Sequence, residues 1–448
     1  LDAICVPTAP LDILAQQIVA ECAAQTWDES ALFELMRRAF PYRDLSREQY
    51  DEVLQLVSEG VLTGRGRRAA YVQRDRVGST LSARRGARLA ALTSGGAIPE
   101  TADYRVLAEP DDTLVGTVNE DFAIESMAGD VFLLGSTSWR IRRVLPGVVR
   151  VVSAEGATPT VPFWLGEAPG RSAELSCAVS ELRAAIDRQL MLHGEADARA
   201  YVVEHSGVPD TAAHEIVAYL GATRSALGIL PTQDDLVFER FFDETGGMQL
   251  VLHAPFGSRI NRALGLLIRK RFCTSFDFEL QAAASDDAIV LSLGPQHSFP
   301  LTDMPAFLRQ ARVREALVAA LIVTPMFAVR WRWNLNRALV VLRMRGGKRN
   351  PAPLQRMESD DVMVSVFPAL AACQDNAQGP REIPDHVLVR QTLDDCLHEA
   401  MDLPALETLL TRIEQGQTRL HYRDTTEPSV LCHEILSARP YTFLDDAP

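Results

Sequence analysis

Apolar residues recur every three to four positions along the first sixty residues of the chain, which is the spacing of helices with one buried face. The stretches PLDILAQQIVAECAA (10–24) and DESALFELMRRA (28–39) each predict such a helix. The next stretch, LSREQYDEVLQLVSEG (45–60), adds a boundary signal, because Ser46 and Gln49 have the spacing of a capping box. The sequence therefore predicts three short helices in succession.

The pattern changes after the third helix, where residues 61–75 alternate in polarity and are interrupted by glycines, as in a hairpin. Three helices followed by a basic hairpin predict a winged helix over residues 1–103. The third helix is the element that usually enters a major groove, but here it carries four carboxylates, which would repel phosphates. We therefore expect the module either to act as a brace or to meet nucleic acid through basic residues of the wing and of the segment after it: Arg65, Arg67, Arg68, Arg84, Arg85 and Arg88.

The remaining three regions differ from one another in pattern. Short runs rich in β-branched residues over 104–170 predict a β-rich, barrel-like segment, either a small barrel or a curled sheet. Residues 171–228 have a helical, acidic pattern, and residues 229–448 mix predicted strands and helices in an α/β region. The fold class expected for the chain is therefore α+β. The most apolar run, residues 313–329, is short, contains Arg314 and Glu315 and is broken by Pro325. It predicts a buried helix and no membrane span, so we expect no membrane partner.

The composition is that of a globular protein of several domains, with 448 residues of which 47% are hydrophobic and 23% charged. The formal net charge is −14. Seven scattered cysteines without a C-x-x-C pair favour reduced thiols and a cytoplasmic location. The chain begins without Met or a signal peptide, and its first residues resemble the interior of a polypeptide, so we expect a piece of a longer protein.

Positive charge is concentrated in three segments against this acidic background. The segments are 139–150, 259–271 and 330–350, and the last carries six Arg and one Lys without a carboxylate. Such basic islands suit a groove that follows a phosphate backbone. The alternative is that the arginines of 330–350 form internal ion pairs with the acidic region 172–250. The candidate phosphate-binding side chains in the three segments are Arg140, Arg259, Arg262, Arg330, Arg332 and Lys348.

Tests for catalytic motifs are negative, with one polar cluster left open. The one Gly-Lys pair, at 347–348, lacks the rest of a P-loop, so we expect no nucleoside-triphosphate site in this chain. Three His-Glu pairs lack the second histidine of a zinc protease. In GPQHSFPL (294–301), Gln296 and His297 either position a water in a pocket or satisfy the backbone of a Gly-Pro turn.

The loop LTSGGAIPETADY (92–104) has residues suited to contact a nucleic-acid strand. Gly95 and Gly96 allow the backbone to approach a phosphate closely. Ile98 precedes a proline and is therefore expected to be extended, and an exposed Ile on such a loop could wedge between bases. The alternative is a plain linker between the winged helix and the β-rich segment.

A second loop is predicted by the Pro- and Gly-rich stretch VPFWLGEAPGRS (161–172). Trp164 in this loop could stack on a base. Trp331 and Trp333 lie next to an Ala-rich helical pattern, and we expect them to pack in the core instead.

Six stretches of the sequence carry a resemblance to a known family. They are RRGARLAALTSGGAIPETADYRV, GTVNEDFAIESMAGDVFLLGSTSWRI, PFWLGEAPGRS, LPTQDDLVFERFFDETGGMQLVLHAPFGSRINRALGL, GPQHSFPL and RWRWN. Together they resemble the large helicase-related (Lhr) family, which consists of superfamily 2 helicases of the DEAD/DEAH type. The resemblance runs over nearly the whole chain. It covers the winged helix and the family-specific, DEAD/H-associated domain that follow the two RecA-like motor domains in that family.

The resemblance implies that the intact protein is an ATP-dependent 3′-to-5′ DNA helicase that unwinds RNA–DNA hybrids or 3′-tailed duplexes, takes part in DNA repair and associates with the nucleoid. ATP and Mg²⁺ would bind the RecA-like motor domains of the same protein, so no cofactor is expected for this chain itself. The resemblance also implies that Ile98 wedges against bases of the tracking single-stranded DNA and that Trp164 stacks on them.

Two other functions stay open on the sequence alone. The chain could be a DNA glycosylase-like base-excision module in which Gln296 and His297 hold the attacking water. It could also be an oligomerisation scaffold whose acidic faces pair with a partner. Release of a damaged base without ATP would identify the first, and the absence of single-strand affinity would favour the second.

Overall fold

A computed structural model describes residues 2–98, 102–134, 137–155, 170–242, 247–276, 281–293, 299–345, 347–371 and 382–438. They form two compact units, each assembled from separate segments of the chain. The winged-helix unit comprises the described residues of 4–161 and 322–396, and the mixed-sheet unit comprises those of 2–3, 162–321 and 397–448. The α+β class is confirmed in both.

The first three helices form where the sequence predicts them. They are α1 (Leu11–Ala24), α2 (Glu29–Arg37) and α3 (Arg47–Glu59), and each buries one apolar face. Both hydrogen bonds of the predicted capping box between Ser46 and Gln49 are present. These local signals begin the helix by satisfying backbone N–H groups that have no partner within it.

The prediction of one hairpin over residues 61–75 is wrong, because two hairpins share this region. Its elements are β1 (Trp27–Asp28), β2 (Val61–Thr63), β3 (Gly66–Arg68), β4 (Val72–Asp75), β5 (Thr80–Ala83) and α4 (Ala87–Ser94). Strand β2 pairs with β3, while β4 pairs with β5 in an antiparallel sheet of order β1-β5-β4. Val72 and Leu81 are fully buried, so this pairing places both in the core. The wing is therefore the β4–β5 hairpin, and β2–β3 is an additional hairpin before it.

An open sheet follows the winged helix within the same unit. Its elements are β6 (Asp103–Ala108), β7 (Thr113–Asn119), α5 (Glu120–Glu125), β8 (Val131–Leu134), β9 (Thr137–Leu145) and β10 (Val148–Ser153). The strand order is β7-β6-β10-β9-β8, and β6–β10 is its parallel pair. Within the described residues no strand pairing joins β7 to β8, so the predicted barrel-like closure is wrong. The sheet is curled nonetheless, since a Cβ at Gly116 of β7 would lie 3.1 Å from the Leu134 side chain of β8.

The mixed-sheet unit begins with three helices that pack on one another around Ile186, Val202 and Val217. Strands and helices then alternate. The elements are α6 (Ala173–Leu192), α7 (Glu195–Ser206), α8 (Asp210–Leu227), β11 (Asp235–Phe242), β12 (Met248–His253), α9 (Ser258–Phe276), β13 (Gln281–Ala284), β14 (Ala288–Leu293) and α10 (Val313–Leu321).

The chain then returns to the winged-helix unit before it completes the mixed sheet. The returning elements are α11 (Pro325–Arg337), β15 (Met344–Arg345), β16 (Lys348–Arg349), α12 (Ala352–Val366), α13 (Pro368–Ala371) and α14 (Val387–Asp395). A π-helical turn, Cys396–Ala400, leads to α15 (Leu403–Glu414), β17 (Arg419–Asp424) and α16 (Cys432–Ala438). The mixed sheet has the order β13-β14-β12-β11-β17, with β17 parallel to β11.

The prediction of one buried helix over 313–329 is wrong. Helix α10 ends at Leu321, and Pro325 begins α11 in the first helical turn, where the missing N–H of proline costs no hydrogen bond. The two halves of this apolar run belong to different units. Among the helices that the structure describes, none is long and apolar enough to cross a membrane.

Candidate nucleic-acid interface

The loop after α4 presents an apolar side chain to solvent. Helix α4 ends at Ser94, and the chain continues through Gly95 and Gly96 to Ile98, whose side chain is 85% exposed. Single exposed aliphatic side chains are normal on protein surfaces, so the exposure of Ile98 supports a function only together with the way its loop is held. The predicted exposure of Ile98 is confirmed.

This loop is held by a buried amide from α1. The Gln16 side chain accepts a hydrogen bond from the backbone N–H of Gly96 at 2.9 Å and donates one to the carbonyl of Gly96 at 3.3 Å. It also donates to the Arg337 carbonyl at 2.9 Å, and it is only 4% exposed. Both polar backbone groups of Gly96 are therefore bound to one side chain of the core.

A second contact fixes the same turn from the other side. The Arg343 guanidinium donates to the carbonyl of Gly95 at 2.8 Å and to that of Ser94 at 3.4 Å. Gly96 has φ +122°, a conformation that L side chains rarely adopt, and a Cβ there would lie 3.3 Å from Arg343. The sequence analysis expected Gly95 and Gly96 to let the backbone approach a phosphate. In the structure these glycines permit the turn itself.

Basic residues without a carboxylate partner among the described residues lie at the start of α4, at the opposite end of the helix from the loop. Arg84, Arg85 and Arg88 are exposed, and within the described residues no carboxylate pairs with any of them. Helix α4 also exposes Leu89 and Leu92. We call the set Arg84, Arg85, Arg88 and Ile98 the α4 surface. It combines free guanidinium groups, which suit phosphates, with an aliphatic side chain, which suits base faces.

The 330–350 cluster does not supply comparable free charge. Arg332 is 3% exposed and donates to Asp121 at 3.0 Å. A guanidinium buried in this way cannot contact a phosphate backbone, so the prediction that Arg332 binds nucleic acid is wrong. The other ion pairs of the cluster are Arg337 with Asp12 and Asp395, Arg345 with Glu358, and Arg349 with Glu120.

These pairs also correct the alternative interpretation. Four arginines of 330–350 are paired internally, namely Arg332, Arg337, Arg345 and Arg349. In these pairs between described residues, the carboxylates come from α1, α5, α12 and α14 of the same unit and not from residues 172–250. Burial raises the pKa of Asp12 against the opposing effect of the Arg337 charge. Arginines of the β2–β3 hairpin are also paired within the unit: Arg65 pairs with Asp361 at 3.0 Å, and Arg68 pairs with Glu358 at 3.5 Å.

The remaining predicted residues are dispersed. Lys348 and Arg140 are exposed, and Arg140 donates to the Gly129 carbonyl at 3.4 Å. The Arg330 guanidinium lies 5.0 Å from the Trp333 ring centroid. In the mixed-sheet unit Arg262 is half-buried, and Arg259 donates to the carbonyls of His398 and Met401. Trp164, Gln296 and His297 lie outside the described residues.

Sequence reasoning missed the residues that hold the loop. Asp12 and Gln16 are four positions apart on the apolar face of α1, and both are buried. Two polar residues at that spacing within a buried face indicate partners elsewhere in the fold, because a buried polar group without a partner is costly. The signal was present, but it could not identify Gly96 or Arg337 as the partners. The expectation that Trp331 packs in the core is confirmed by its 2% exposure.

A second polar constellation is buried in the mixed-sheet unit. Glu239 of β11 and His253 of β12 form an ion pair at 2.7 Å, and both are nearly inaccessible. Burial opposes ionisation of Glu239, but hydrogen bonding and charge from His253 outweigh it and lower the pKa of Glu239 to about 2. Cys432 and Ser429 complete the group. In the described part of the chain, Glu239, His253 and Cys432 are the residues grouped as metal ligands would be.

Helices α1 to α3 and the β4–β5 wing define a winged-helix protein, and the exposed arginines at the start of α4 give it a basic surface. Two family models match the chain: "Large helicase-related protein, winged helix domain" over residues 1–161, and "DEAD/H associated" over residues 230–432. The chain belongs to the large helicase-related (Lhr) family.

Similar proteins agree with this assignment. The chain is 33% identical over 439 residues to the Lhr helicase/probable uracil glycosylase of Mycolicibacterium smegmatis, covering 96% of this chain and 28% of that protein. It is 33% identical over 462 residues to the Lhr helicase/uracil glycosylase of Escherichia coli, covering 99% and 28%. With the ATP-dependent helicase Lhr-Core protein 2 of Thermococcus barophilus it shares 25% identity over 458 residues, covering 100% and 50%.

A solved structure is similar as well. The structure of Mycobacterium smegmatis helicase Lhr bound to ssDNA and AMP-PNP matches with a TM-score of 0.71 and 27% sequence identity, covering 97% of this chain and 49% of that one. The chain thus spans half or less of the length of the relatives it matches.

Proposed function

We propose that this chain is a nucleic-acid-binding module of an ATP-dependent helicase, and that its α4 surface binds the tracking single strand and helps to split the duplex. The observation that carries the proposal is the exposed Ile98 on a loop whose backbone is held by hydrogen bonds from Gln16 and Arg343. A wedge must resist the strand that it separates, and hydrogen bonds to a buried side chain give this loop that rigidity.

Exposed charge at the start of α4 supports the same function. Arg84, Arg85 and Arg88 are exposed without ion-pair partners in the described residues, so contact with phosphates would break no internal ion pair there. The similar helicase of M. smegmatis was solved with single-stranded DNA bound, and this supports single-stranded DNA as the partner.

The finer features rest on family membership. We infer 3′-to-5′ translocation, action on RNA–DNA hybrids or 3′-tailed duplexes, a role in DNA repair and association with the nucleoid for the intact protein. ATP and Mg²⁺ are proposed for RecA-like motor domains of the same protein. Trp164 is proposed to stack on a base of the tracking strand beside Ile98.

Fluorescence anisotropy with labelled single-stranded DNA tests the proposal. Ile98→Ala is expected to lower the affinity by about 1–2 kcal/mol, since most of a buried aliphatic contact is lost. The triple change of Arg84, Arg85 and Arg88 to Ala is expected to lower it at least about tenfold at 0.1 M salt, because phosphate contacts are lost. Leu192→Ala, at an aliphatic position of α6 that is 73% exposed, is the control and should change nothing. Unchanged affinity in both α4-surface variants would overturn the proposal.

A base-excision function has one supporting observation. Two similar proteins carry uracil glycosylase in their names, although the chain spans only 28% of each. Incubation with uracil-containing DNA in the absence of ATP distinguishes the two functions. Release of uracil that is abolished in a Gln296→Ala, His297→Ala double variant would favour base excision by this chain.

A further inference from the structure

Four side chains from three elements converge in the core of the mixed-sheet unit. The Glu239 Oε2 atom lies 2.7 Å from His253 Nε2, 2.6 Å from Ser429 Oγ and 3.1 Å from Cys432 Sγ. The Cys432 Sγ atom is 3.7 Å from His253 Nε2 and 3.6 Å from Ser429 Oγ. Glu239 and Cys432 are fully buried, and His253 is 2% exposed.

This arrangement differs from a nucleophile–base relay. In a Cys-His-carboxylate relay the thiol and the carboxylate bind opposite nitrogens of the imidazole, so that a proton can pass through the ring. Here the thiol and the carboxylate both face the same nitrogen, Nε2 of His253. The three atoms therefore surround a common point, as ligands do around a cation.

Hydrogen bonding alone explains the cluster poorly. Besides the three contacts to Oε2, the other oxygen of Glu239 accepts from Thr425 Oγ1 at 3.1 Å and from the Ser429 backbone N–H at 2.7 Å. Five donors thus crowd a carboxylate that has about four lone-pair sites, and three of them share one oxygen. A cation in place of the thiol and imidazole protons would relieve this crowding.

The distances also suit a metal ion. A point about 1.9 Å from Glu239 Oε2, His253 Nε2 and Cys432 Sγ exists in their common plane, so a site just above that plane reaches all three at the roughly 2.0–2.3 Å of zinc–ligand bonds. One thiolate, one imidazole nitrogen and one carboxylate oxygen form a donor set that zinc accepts. Ser429 Oγ donates a hydrogen bond to the Glu239 carboxylate at 2.6 Å and so helps to orient it.

We propose that Glu239, His253 and Cys432 bind one Zn²⁺ ion, and that this ion ties α16 to strands β11 and β12. On binding, Cys432 gives up its thiol proton and His253 coordinates as the neutral imidazole, so protons are released to solvent. The carboxylate, the thiolate and Zn²⁺ sum to zero charge, which a fully buried site requires. Burial raises the pKa of the Cys432 thiol, and coordination to a metal ion deprotonates such a thiol.

The test uses the full chain expressed in minimal medium supplemented with zinc or cobalt and then dialysed against metal-free buffer. We expect about one zinc per chain by mass spectrometry, and a thiolate-to-cobalt charge-transfer absorption in the cobalt-loaded protein. Cys432→Ser, which keeps the size of the side chain, should lower the metal content about tenfold and abolish that absorption. Cys177→Ser, at an exposed cysteine of the same unit, should change neither.

Two results would overturn the proposal. One is wild-type protein with native circular dichroism but almost no zinc and no cobalt–thiolate absorption. The other is a Cys432→Ser variant with the metal content of wild type, which would assign the metal to another site. If Cys432→Ser fails to fold, wild-type protein with native circular dichroism and no cobalt–thiolate absorption still overturns the proposal.

Discussion

Arg332 provides the sharpest test of how the 330–350 cluster is used. Its guanidinium donates to Asp121 at 3.0 Å, and both side chains are 4% exposed. In Arg332→Met the Asp121 carboxylate would stay buried, with the indole N–H of Trp333 at 3.2 Å as a remaining donor. Breaking one side of a buried ion pair costs about 3–5 kcal/mol, chiefly because the other charge is left uncompensated.

The size of this effect can be separated from general damage to the core. Asp121→Asn removes the charge but keeps an acceptor for Trp333, so the double variant with Arg332→Met should be destabilised by about 2 kcal/mol less than the sum of the single variants. Arg330→Met, on the same helix, alters a guanidinium that lies over the Trp333 ring and should cost about 0.5–1 kcal/mol. Urea is the suitable denaturant, because it does not screen charges, and circular dichroism of the full chain follows unfolding.

Binding measured on the same variants completes the test. Below the onset of unfolding, Arg332→Met should bind single-stranded DNA within about twofold of wild type, because the buried side chain contacts no strand. An unchanged unfolding midpoint together with a clear loss of affinity would refute the assignment. Arg332 would then face the nucleic acid, and the ion pair with Asp121 would not be its main role.

Three further changes probe the loop and the fold. Gln16→Leu should lower DNA affinity without changing net charge, since the backbone groups of Gly96 lose their partner; anisotropy should show a loss similar to that of Ile98→Ala. Gly96→Ala should lower DNA affinity in the same assay, because a non-glycine residue at φ +122° costs about 1–3 kcal/mol. Gly64→Ala is the control and should leave the affinity unchanged, since a Cβ at Gly64 would meet no atom within 4 Å. Burial, and then the charge of Arg390, lower the pKa of His386 to about 4. Above the ordinary pKa of about 6.5, His386 is neutral in both the folded and the unfolded chain, and its full contribution to stability is present. This contribution is lost as the pH falls toward 4, because the unfolded chain then binds a proton that the folded chain does not. Over that pH window the urea midpoint of His386→Asn should therefore fall less steeply than that of wild type.

The sequence predicted best what depends on neighbours along the chain. Helices α1 to α3 follow from periodicity and from the Ser46–Gln49 capping box, whose partners are three residues apart. Strand pairing was predicted less well, because the partner of Val72 is a residue of β5 and not of β2. Nothing local to residues 61–75 determines that choice. It follows from burial of Val72 and Leu81 in one core.

In the candidate site, too, the sequence predicted what depends on neighbouring residues and missed what depends on distant ones. Exposure of Ile98 follows from its place before a proline in a Gly-rich loop, and the sequence identified it. The partners of the basic cluster could not be identified, because Asp12, Asp121 and Glu358 are brought to it from distant segments by the tertiary fold. A count of charges along a segment therefore overstates the charge that the segment offers to a ligand.

The internal ion pairs of the 330–350 arginines predict how DNA binding depends on salt concentration. If the three arginines of the α4 surface make the main phosphate contacts, the logarithm of the association constant should fall by about 2 for each tenfold increase in salt, at about 0.7 per phosphate on a single strand. If the seven basic residues of 330–350 also contacted phosphates, they and the three arginines of the α4 surface would make ten contacts, and the slope would be about 7. Anisotropy titrations of the full chain from low to moderate salt separate these values easily. A slope near 2 fits a protein of net charge −14 in which four arginines of 330–350 are paired internally and the exposed arginines lie at the start of α4. A slope near 7 would mean that the ion pairs of the cluster open when DNA binds.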